Sequence, residues 1–200
     1  MKVSHGLLES FRADPTGFAV RQGSRHFNGP SMFRMWQYAL KRLHAENVES
    51  AAEYLQDAIV SNFKVNDRNE SRLDDLVDAL HRYAASFESL GHIAVEVLKP
   101  MNLVINSKLT IAGEVARLDL VPSGGYAAFV LSREEGEDWR RQIRFPLIQA
   151  HFASKLNCSL KDIAVGIYSV PTGVHELHRF TASRVSAAHA EISSLARRLP

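Results

Sequence analysis

The spacing of hydrophobic positions along this chain changes once, close to residue 92. Before that point apolar residues recur every three or four positions, which is the repeat of an amphipathic helix. From Ile93 onward, short runs of β-branched and other apolar residues follow one another, which favours strands. The pattern predicts a single domain with a mainly helical part over residues 1–91 and a mixed-sheet core over 92–200.

Start and stop signals divide the helical part into several helices. Ser4 is expected to cap a short helix that ends at Asp14-Pro15, and residues 16–30 are interpreted as a loop. A helix follows over about 31–45. Further helices are expected to start at a capping box made by Ser50 and Glu53 and at Ser71, the last of them ending at Gly91.

A β-hairpin is the clearest feature of the second part. Apolar runs over 109–121 and 126–131 flank Pro122-Ser123-Gly124-Gly125, and adjacent glycines supply the positive φ angles of a tight turn. Two strands separated by Pro100 precede the hairpin. A helix over 137–156, kinked or divided in two at Pro146, is expected to follow it. Strands over 163–170 and 174–180 and a final helix that starts at Thr181 or Ser183 come next. This order predicts an α+β fold around a mixed sheet.

Net charge, cysteine content and the lengths of the apolar runs exclude a few classes of protein. The chain has 24 Lys and Arg against 22 Asp and Glu, so its net charge of +2 does not by itself imply nucleic acid. The single cysteine, Cys158, excludes an internal disulfide and a Cys-rich metal site. No apolar run is long enough for a membrane span and no signal-peptide core is evident. We therefore expect a soluble, cytoplasmic protein.

Several local phrases, taken in this order, resemble the RecB-like branch of the PD-(D/E)XK nuclease superfamily. The resemblance implies a restriction-endonuclease-like core and covers nearly the whole chain. The opening SHGLLESFRADP is similar to the family's serine-initiated helix, and Gly29 precedes a helix that has Phe33 where the family has histidine. Residues 113–119 match the strand phrase G-x-x-D-R-(I/L)-D, with Ala116 in place of the aspartate, and Gln149 matches a glutamine that follows an apolar helical turn.

The residues missing from these phrases are those that would cut a phosphodiester. The resemblance assigns Phe129 and Leu131 to the acid and lysine of the D-x-K strand, so four catalytic positions are occupied by Phe33, Ala116, Phe129 and Leu131. Such nucleases need carboxylates to hold Mg²⁺ and a lysine to orient water, and hydrocarbon side chains do neither. The resemblance therefore implies a catalytically degenerate member that has no catalytic residues and holds no metal or cofactor.

Relocated metal ligands are the alternative. Glu114 lies two residues before Ala116, on the same face of its strand, and Glu96 on a preceding strand is a second candidate. Together they would make the protein an active Mg²⁺-dependent nuclease. The sequence therefore leaves open whether the protein is an enzyme, and the substituted catalytic positions favour a protein that is not.

Three functions are compatible with these observations. The first is a non-catalytic nuclease-fold module that binds nucleic acid or a protein partner in a DNA-processing, mobile-element or antiviral defence complex. Its expected nucleic-acid contacts are Arg117, Arg140, Arg141, Arg144 and Gln149. The second is the active nuclease. The third is a pure interaction or scaffold subunit, which would present an exposed apolar patch formed by Phe33, Trp36 or Leu55. The oligomeric state is not predicted.

Overall fold

Seven α-helices and six strands make up the part of the chain that the computed structural model describes, residues 1–22, 31–133 and 138–199. The α-helices are α1 (Leu8–Ala13), α2 (Pro15–Gln22), α3 (Met32–Ala45), α4 (Val48–Asn62), α5 (Asp67–Leu90), α6 (Arg144–Lys155) and α7 (Ala182–Arg197). The strands are β1 (Lys2–Ser4), β2 (Ile93–Val104), β3 (Thr110–Leu120), β4 (Tyr126–Ser132), β5 (Ile163–Ser169) and β6 (Val174–His178). Three short 3₁₀ turns, at His5–Leu7, Trp139–Arg141 and Leu160–Asp162, connect them.

All six strands belong to one mixed sheet. β2, β3 and β4 form an antiparallel meander, β5 joins β4 in parallel after the crossover through α6, and β6 returns antiparallel to β5. The short strand β1 pairs in parallel with the start of β3. The expected α+β class, a mixed sheet flanked by helices, is therefore confirmed.

Helices cover both faces of this sheet, so the molecule has three layers. On one face, Phe11 of α1, Phe152 of α6 and Ile192 of α7 pack on alternate residues of β4 and β5. On the other face, α3, α4 and α5 form a second core around Trp36, which reaches Tyr168 of β5. Both tryptophans, Trp36 and Trp139, are core residues, as their positions on apolar helical stripes indicate.

The hairpin at the centre of the sequence is confirmed. Gly124 and Gly125 have φ angles of +86° and +83°, which is the left-handed conformation that the turn requires. In β4 the residues between Tyr126 and Leu131 are all buried, because helices cover both faces of the strand. The predicted end of α5 at Gly91 is also confirmed, since Gly91 has φ +63°.

Several predicted boundaries in the helical part are wrong. The expected loop after Pro15 begins as helix α2, because proline is well suited to the first position of a helix and Asp14 accepts a hydrogen bond from the Gly17 N–H at 2.9 Å. Helix α4 is capped by Asn47, whose side chain accepts from the Ser50 N–H at 2.8 Å, so Ser50 lies inside the helix. The predicted leading residue Gly29 lies outside the described residues.

Both prolines that were expected to interrupt elements are accommodated. Pro100 lies inside β2, which runs unbroken because β2 is an edge strand and its outer side needs no hydrogen-bond donor. Pro146 lies in the first turn of α6, where the missing N–H has no intrahelical partner to lose. The prediction of helix before Arg144 is wrong: Trp139–Arg141 is a 3₁₀ turn, and the α-helix begins only at Arg144. The predicted first residue, 137, lies outside the described residues.

No helix in the described ranges is both long enough and apolar enough to cross a membrane.

Candidate functional site

A gap in the pairing of β3 opens the groove that we describe as the candidate site. One edge of β3 pairs with β2 along the strand. On the other edge, the ladder to β1 ends at Ala112 and the ladder to β4 begins at Arg117. A groove of about 740 Å³ lies against the residues between them, and His5, Arg34 and Arg144 help to form its walls. We call it the β3 groove.

Hydrocarbon side chains line the part of the β3 groove to which the resemblance assigns catalytic groups. Phe33, Ala116 and Leu131 all line it, so three of the four substituted positions meet in space. Phe129 does not, because it pairs with Arg117 and so lies where the ladder between β3 and β4 is still closed. Val130 lines the groove instead. The resemblance assigned the acid position to Phe129, but the β4 side chain at the groove is that of Val130, which is one residue later and is also apolar.

The two carboxylates considered as relocated metal ligands do not converge. Glu114 lines the groove, but both of its oxygens accept hydrogen bonds from the Arg34 guanidinium, one at 3.2 Å. Glu96 lies opposite Leu118 on the ladder and is paired with Lys99. Leu118 and Glu114 are four residues apart on β3, and at ~3.4 Å per residue this places Glu96 roughly 14 Å from Glu114 along the strand direction.

These side chains do not fit a bound Mg²⁺, which takes several free oxygen ligands. Among the described residues that line the β3 groove, the one carboxylate is that of Glu114, which already binds a guanidinium. Within the ranges that the structure describes, no group of three or more His, Cys, Asp or Glu side chains is placed to hold a metal ion.

His5 forms part of the groove wall and fixes the shape of its floor. Its Nε2 lies 2.8 Å from the carbonyl oxygen of Glu114, so Nε2 carries the proton and donates. Gly113, with φ +145°, lies under the imidazole, and a Cβ at that position would collide with the ring. Burial lowers the pKa of His5 below 6.5, so the ring is neutral at pH 7 and adds no charge to the groove.

The charged side chains around the β3 groove are mainly basic. Lys2, Arg34 and Arg144 line it, and Glu114 is the carboxylate among its lining residues. Arg34 and Glu114 neutralise each other. The lining therefore carries more positive than negative charge, which suits an anionic ligand.

A second cavity, of about 670 Å³, shares Phe33 with the groove, and we call it the α3–α5 cavity. Its floor is apolar, and its charged lining residues are Arg72, Arg82, Arg133 and Asp75. Among the described residues, six basic side chains and two carboxylates thus line the two cavities, whereas the whole chain is nearly balanced at 24 against 22. In this part of the chain, basic side chains outnumber carboxylates in the lining of each cavity.

Arg117, an expected nucleic-acid contact, is buried. Only 1% of its surface is exposed, and its guanidinium binds Asp119, lies 3.4 Å from His175 and donates to Tyr83. It also lies 4.3 Å from the ring centroid of Phe87. Arg117 therefore joins the sheet to α5, and its expected role as a surface contact is wrong.

Gln149 is also buried and serves the fold. Its amide nitrogen donates to the carbonyl oxygens of Leu160 and Phe180 at 2.9 and 3.1 Å, and its oxygen accepts from the Phe180 N–H at 2.7 Å. All three bonds tie α6 to backbone outside the helix. The prediction that Gln149 contacts nucleic acid is wrong, and the alternative of a buried amide that joins elements is confirmed.

The other three predicted arginines follow one another around the start of α6. Arg140 is half-exposed and pairs with Glu176 at 3.2 Å, and Arg141 pairs with Asp138 at 2.7 Å while 88% of its side chain is exposed. Arg144 lines the β3 groove. The structure therefore brings one predicted residue to the groove and leaves two on the outer surface.

Most of the basic residues at the two cavities were not predicted. Lys2, Arg34, Arg72, Arg82 and Arg133 come from five separate places in the sequence, and none belongs to a local motif. Only the fold brings them together. Of the three residues predicted for the apolar patch of a scaffold subunit, Trp36 and Leu55 are fully buried and Phe33 is partly buried.

Comparison with known proteins does not identify a family for this chain. No known family profile matches the chain, and no curated protein matches it. One solved structure, described as "Crystal structure of SSO0001", aligns over 97% of this chain and 87% of its own, with 8% identity and a TM-score of 0.37.

Proposed function

We propose that this protein is a non-catalytic nuclease-fold module that binds nucleic acid in the β3 groove. We expect it to act within a larger DNA-processing, mobile-element or defence complex. The observation that carries the proposal is the charge of the two cavities, where six basic side chains and two carboxylates of the described residues line the surface. Phosphate groups are the biological anions that such grooves most commonly bind.

The order of elements supports a degenerate PD-(D/E)XK core. The strand phrase that contains Ala116 is β3, the hairpin leads to β4, and the helix that carries Gln149 is the crossover to the parallel strand β5. Phe33, which has the position of the family's histidine, lies in the same groove as Ala116 and Leu131. Residues far apart in the sequence thus meet where the resemblance expects one site.

Binding without cleavage follows from the chemistry of this site. A metal-dependent nuclease holds Mg²⁺ on carboxylates and uses it to stabilise charge on the scissile phosphate. Here Ala116 and Val130 present hydrocarbon and Glu114 holds Arg34, so a phosphate in the groove would meet fixed cations. Cations of this kind attract a phosphodiester but do not generate the attacking hydroxide.

The salt dependence of binding tests this proposal. Fluorescence anisotropy with labelled single-stranded and duplex oligonucleotides, in EDTA and over a range of KCl concentrations, gives the slope of log affinity against log salt. We expect measurable binding with a negative slope. Lys2→Gln together with Arg144→Gln should make the slope shallower by about one to two units, since each lost phosphate contact removes roughly one.

Lys161→Gln is the matched control. Lys161 is exposed and lies just before β5, at the end of the sheet opposite to Leu131 and the groove. This variant should keep the wild-type slope. Absence of binding, or binding that does not depend on salt, would refute the proposal.

Protein binding is a second candidate, favoured by the outer edge of the sheet. β2 pairs only with β3 in the described residues, and Ile93, Val95 and Val104 expose 64%, 50% and 68% of their surface there. Exposed apolar residues on an unpaired edge strand suit a protein partner. Val95→Lys should abolish a complex formed through this edge and leave nucleic-acid affinity unchanged, as judged by light scattering and anisotropy on the same samples.

A further inference from the structure

Phe33 is the residue that the β3 groove and the α3–α5 cavity have in common. It lies in the first turn of α3, where the Ser31 side chain caps the helix by accepting from the Arg34 N–H at 3.1 Å. The ring is partly buried, so part of its surface remains open to the two cavities. A ligand that occupied both cavities would have to pass this ring.

The aromatic ring is held rigidly from below. Phe33 stacks on Trp36 with 5.8 Å between ring centroids and 14° between planes. Trp36 is fully buried and donates from Nε1 to the Leu76 carbonyl oxygen at 3.0 Å, which fixes it against α5. Little conformational freedom would therefore be lost when a flat group packs against Phe33.

A planar cation already lies over this ring. The Arg133 guanidinium carbon is 4.8 Å from the Phe33 ring centroid, and Arg133 is exposed at the end of β4. Guanidinium groups and aromatic rings both stack on nucleobases. A base that stacks on Phe33 would therefore replace the Arg133 guanidinium over the ring or insert between the two, and Arg133 would then be free to stack on the base.

The two cavities differ in a way that matches the two parts of a nucleotide. The α3–α5 cavity has an apolar floor formed by Met32, Phe63, Leu76, Ala79, Val170 and Pro171. The β3 groove, on the other side of Phe33, has a larger share of polar groups in its lining, whereas basic residues line both cavities: Lys2 and Arg144 the groove, and Arg72, Arg82 and Arg133 the α3–α5 cavity. A base is flat and largely apolar on its faces, whereas its phosphate is anionic.

We propose that the two cavities bind one nucleotide of a single strand, with the base stacked on Phe33 in the α3–α5 cavity and its phosphate in the β3 groove. This inference rests on the proposed function and specifies its ligand as single-stranded nucleic acid. A base inside a duplex reaches such a cavity only after it leaves the stack, which is energetically costly. The single strand is therefore the preferred form.

The test compares four probes by anisotropy or competition in EDTA: a labelled oligo(dT), the same oligomer with abasic sites throughout, a duplex of equal length, and free dTMP as competitor. The variants are Phe33→Leu, which keeps an apolar side chain but removes the ring, and Phe33→Trp, which keeps a stacking surface. Thermal unfolding checks that both variants fold.

We expect Phe33→Leu to weaken oligo(dT) binding by about tenfold, within the range measured for loss of one stacked base. Phe33→Trp should restore it. The abasic oligomer should bind wild type and Phe33→Leu equally, the duplex should bind more weakly than oligo(dT), and dTMP should compete only at much higher concentration.

Three outcomes would overturn the inference. If oligo(dT) binds but Phe33→Leu and wild type are equal, or the duplex binds as well as the single strand, the stacking site is refuted while the proposed function stands. If dTMP competes as strongly as the oligomer, the ligand is a free nucleotide and the polymer assignment is wrong. If none of the four probes binds, the proposed function itself fails.

Discussion

Arg34 of α3 and Glu114 of β3 are joined by a two-pronged ion pair across the β3 groove. Arginine and carboxylate match in this geometry because the planar guanidinium presents two parallel donors. The pair has two consequences. It fixes the start of α3 against the sheet, and it occupies the Glu114 carboxylate, which would otherwise be open to a cation.

The strength of this pair can be measured directly. The side chains of Arg34 and Glu114 are 36% and 25% exposed, so solvent screens the interaction only in part. We expect Arg34→Gln to lower the free energy of unfolding by about 1 kcal/mol in urea denaturation, near the upper end for exposed pairs. Arg42→Gln, which breaks an exposed pair with Glu46 on α3, should cost no more than ~0.5 kcal/mol. Equal costs would contradict a special role for the groove pair.

Gly113 should tolerate no side chain. Its φ of +145° is unfavourable for other residues, and a Cβ would collide with the His5 ring. We expect Gly113→Ala to destabilise the protein by about 2 kcal/mol or more, because strain and overpacking add. Gly124→Ala is the control, since Gly124 has φ +86° but nothing within 4 Å of the added carbon, and it should cost only about 1 kcal/mol. The His5→Ala background should recover part of the Gly113→Ala loss, and no recovery would rule out the steric explanation.

Arg117 and Asp119 form a buried ion pair, with 1% and 0% of their surface exposed. Removal of Arg117 leaves the buried Asp119 carboxylate with His92, 3.0 Å away, as its remaining side-chain partner. Arg117→Met should therefore cost about 3 kcal/mol in chemical denaturation, at the lower end for a broken buried pair. The double variant Arg117→Met, Asp119→Leu should be more stable than Arg117→Met alone, because no buried charge remains. A surface role for Arg117 would instead give a folded single variant of nearly wild-type stability.

The stability of the protein should decrease below pH 6.5. Burial lowers the pKa of His44 to about 4 and that of His175 to about 3, while the unfolded chain keeps values near 6.5. Between about pH 6.5 and 4 the unfolded state binds protons that the folded state does not. Each histidine then lowers the free energy of unfolding by up to about 1.4 kcal/mol per pH unit as the pH falls.

Urea midpoints at pH 7 and pH 5 measure this effect. His44→Gln should reduce the pH dependence, whereas His81→Gln, which changes an exposed histidine of α5, should leave it as in wild type. If His44→Gln keeps the full dependence, the buried neutral state of His44 is not its cause.

Elements with one strong local signal were predictable from the sequence. The Gly124-Gly125 turn and the end of α5 at Gly91 need left-handed backbone, which glycine supplies at low cost. Where two signals compete, the prediction failed. Asn47 and Ser50 are both good caps three residues apart, and the choice of Asn47 depends on where the helix packs.

The candidate site was predictable only in its hydrocarbon part. Ala116 and Leu131 belong to recognisable phrases, whereas Lys2 and Arg133 carry no local signal and reach the cavities through the fold. Arg117 was misjudged because a basic residue on a strand is usually exposed. Its burial depends on partners that α5 and the end of β3 supply, which no local pattern records.

Binding and cleavage measured in one sample test the central claim most directly. A labelled oligonucleotide is incubated with the wild-type protein in Mg²⁺ or Mn²⁺; anisotropy records binding and a denaturing gel records chain length. We predict salt-dependent binding with the oligonucleotide intact, and binding that persists when EDTA replaces the metal. Metal-dependent shortening of the oligonucleotide that Glu114→Gln abolishes would contradict the account, because it would mean that the β3 groove holds a working metal ion.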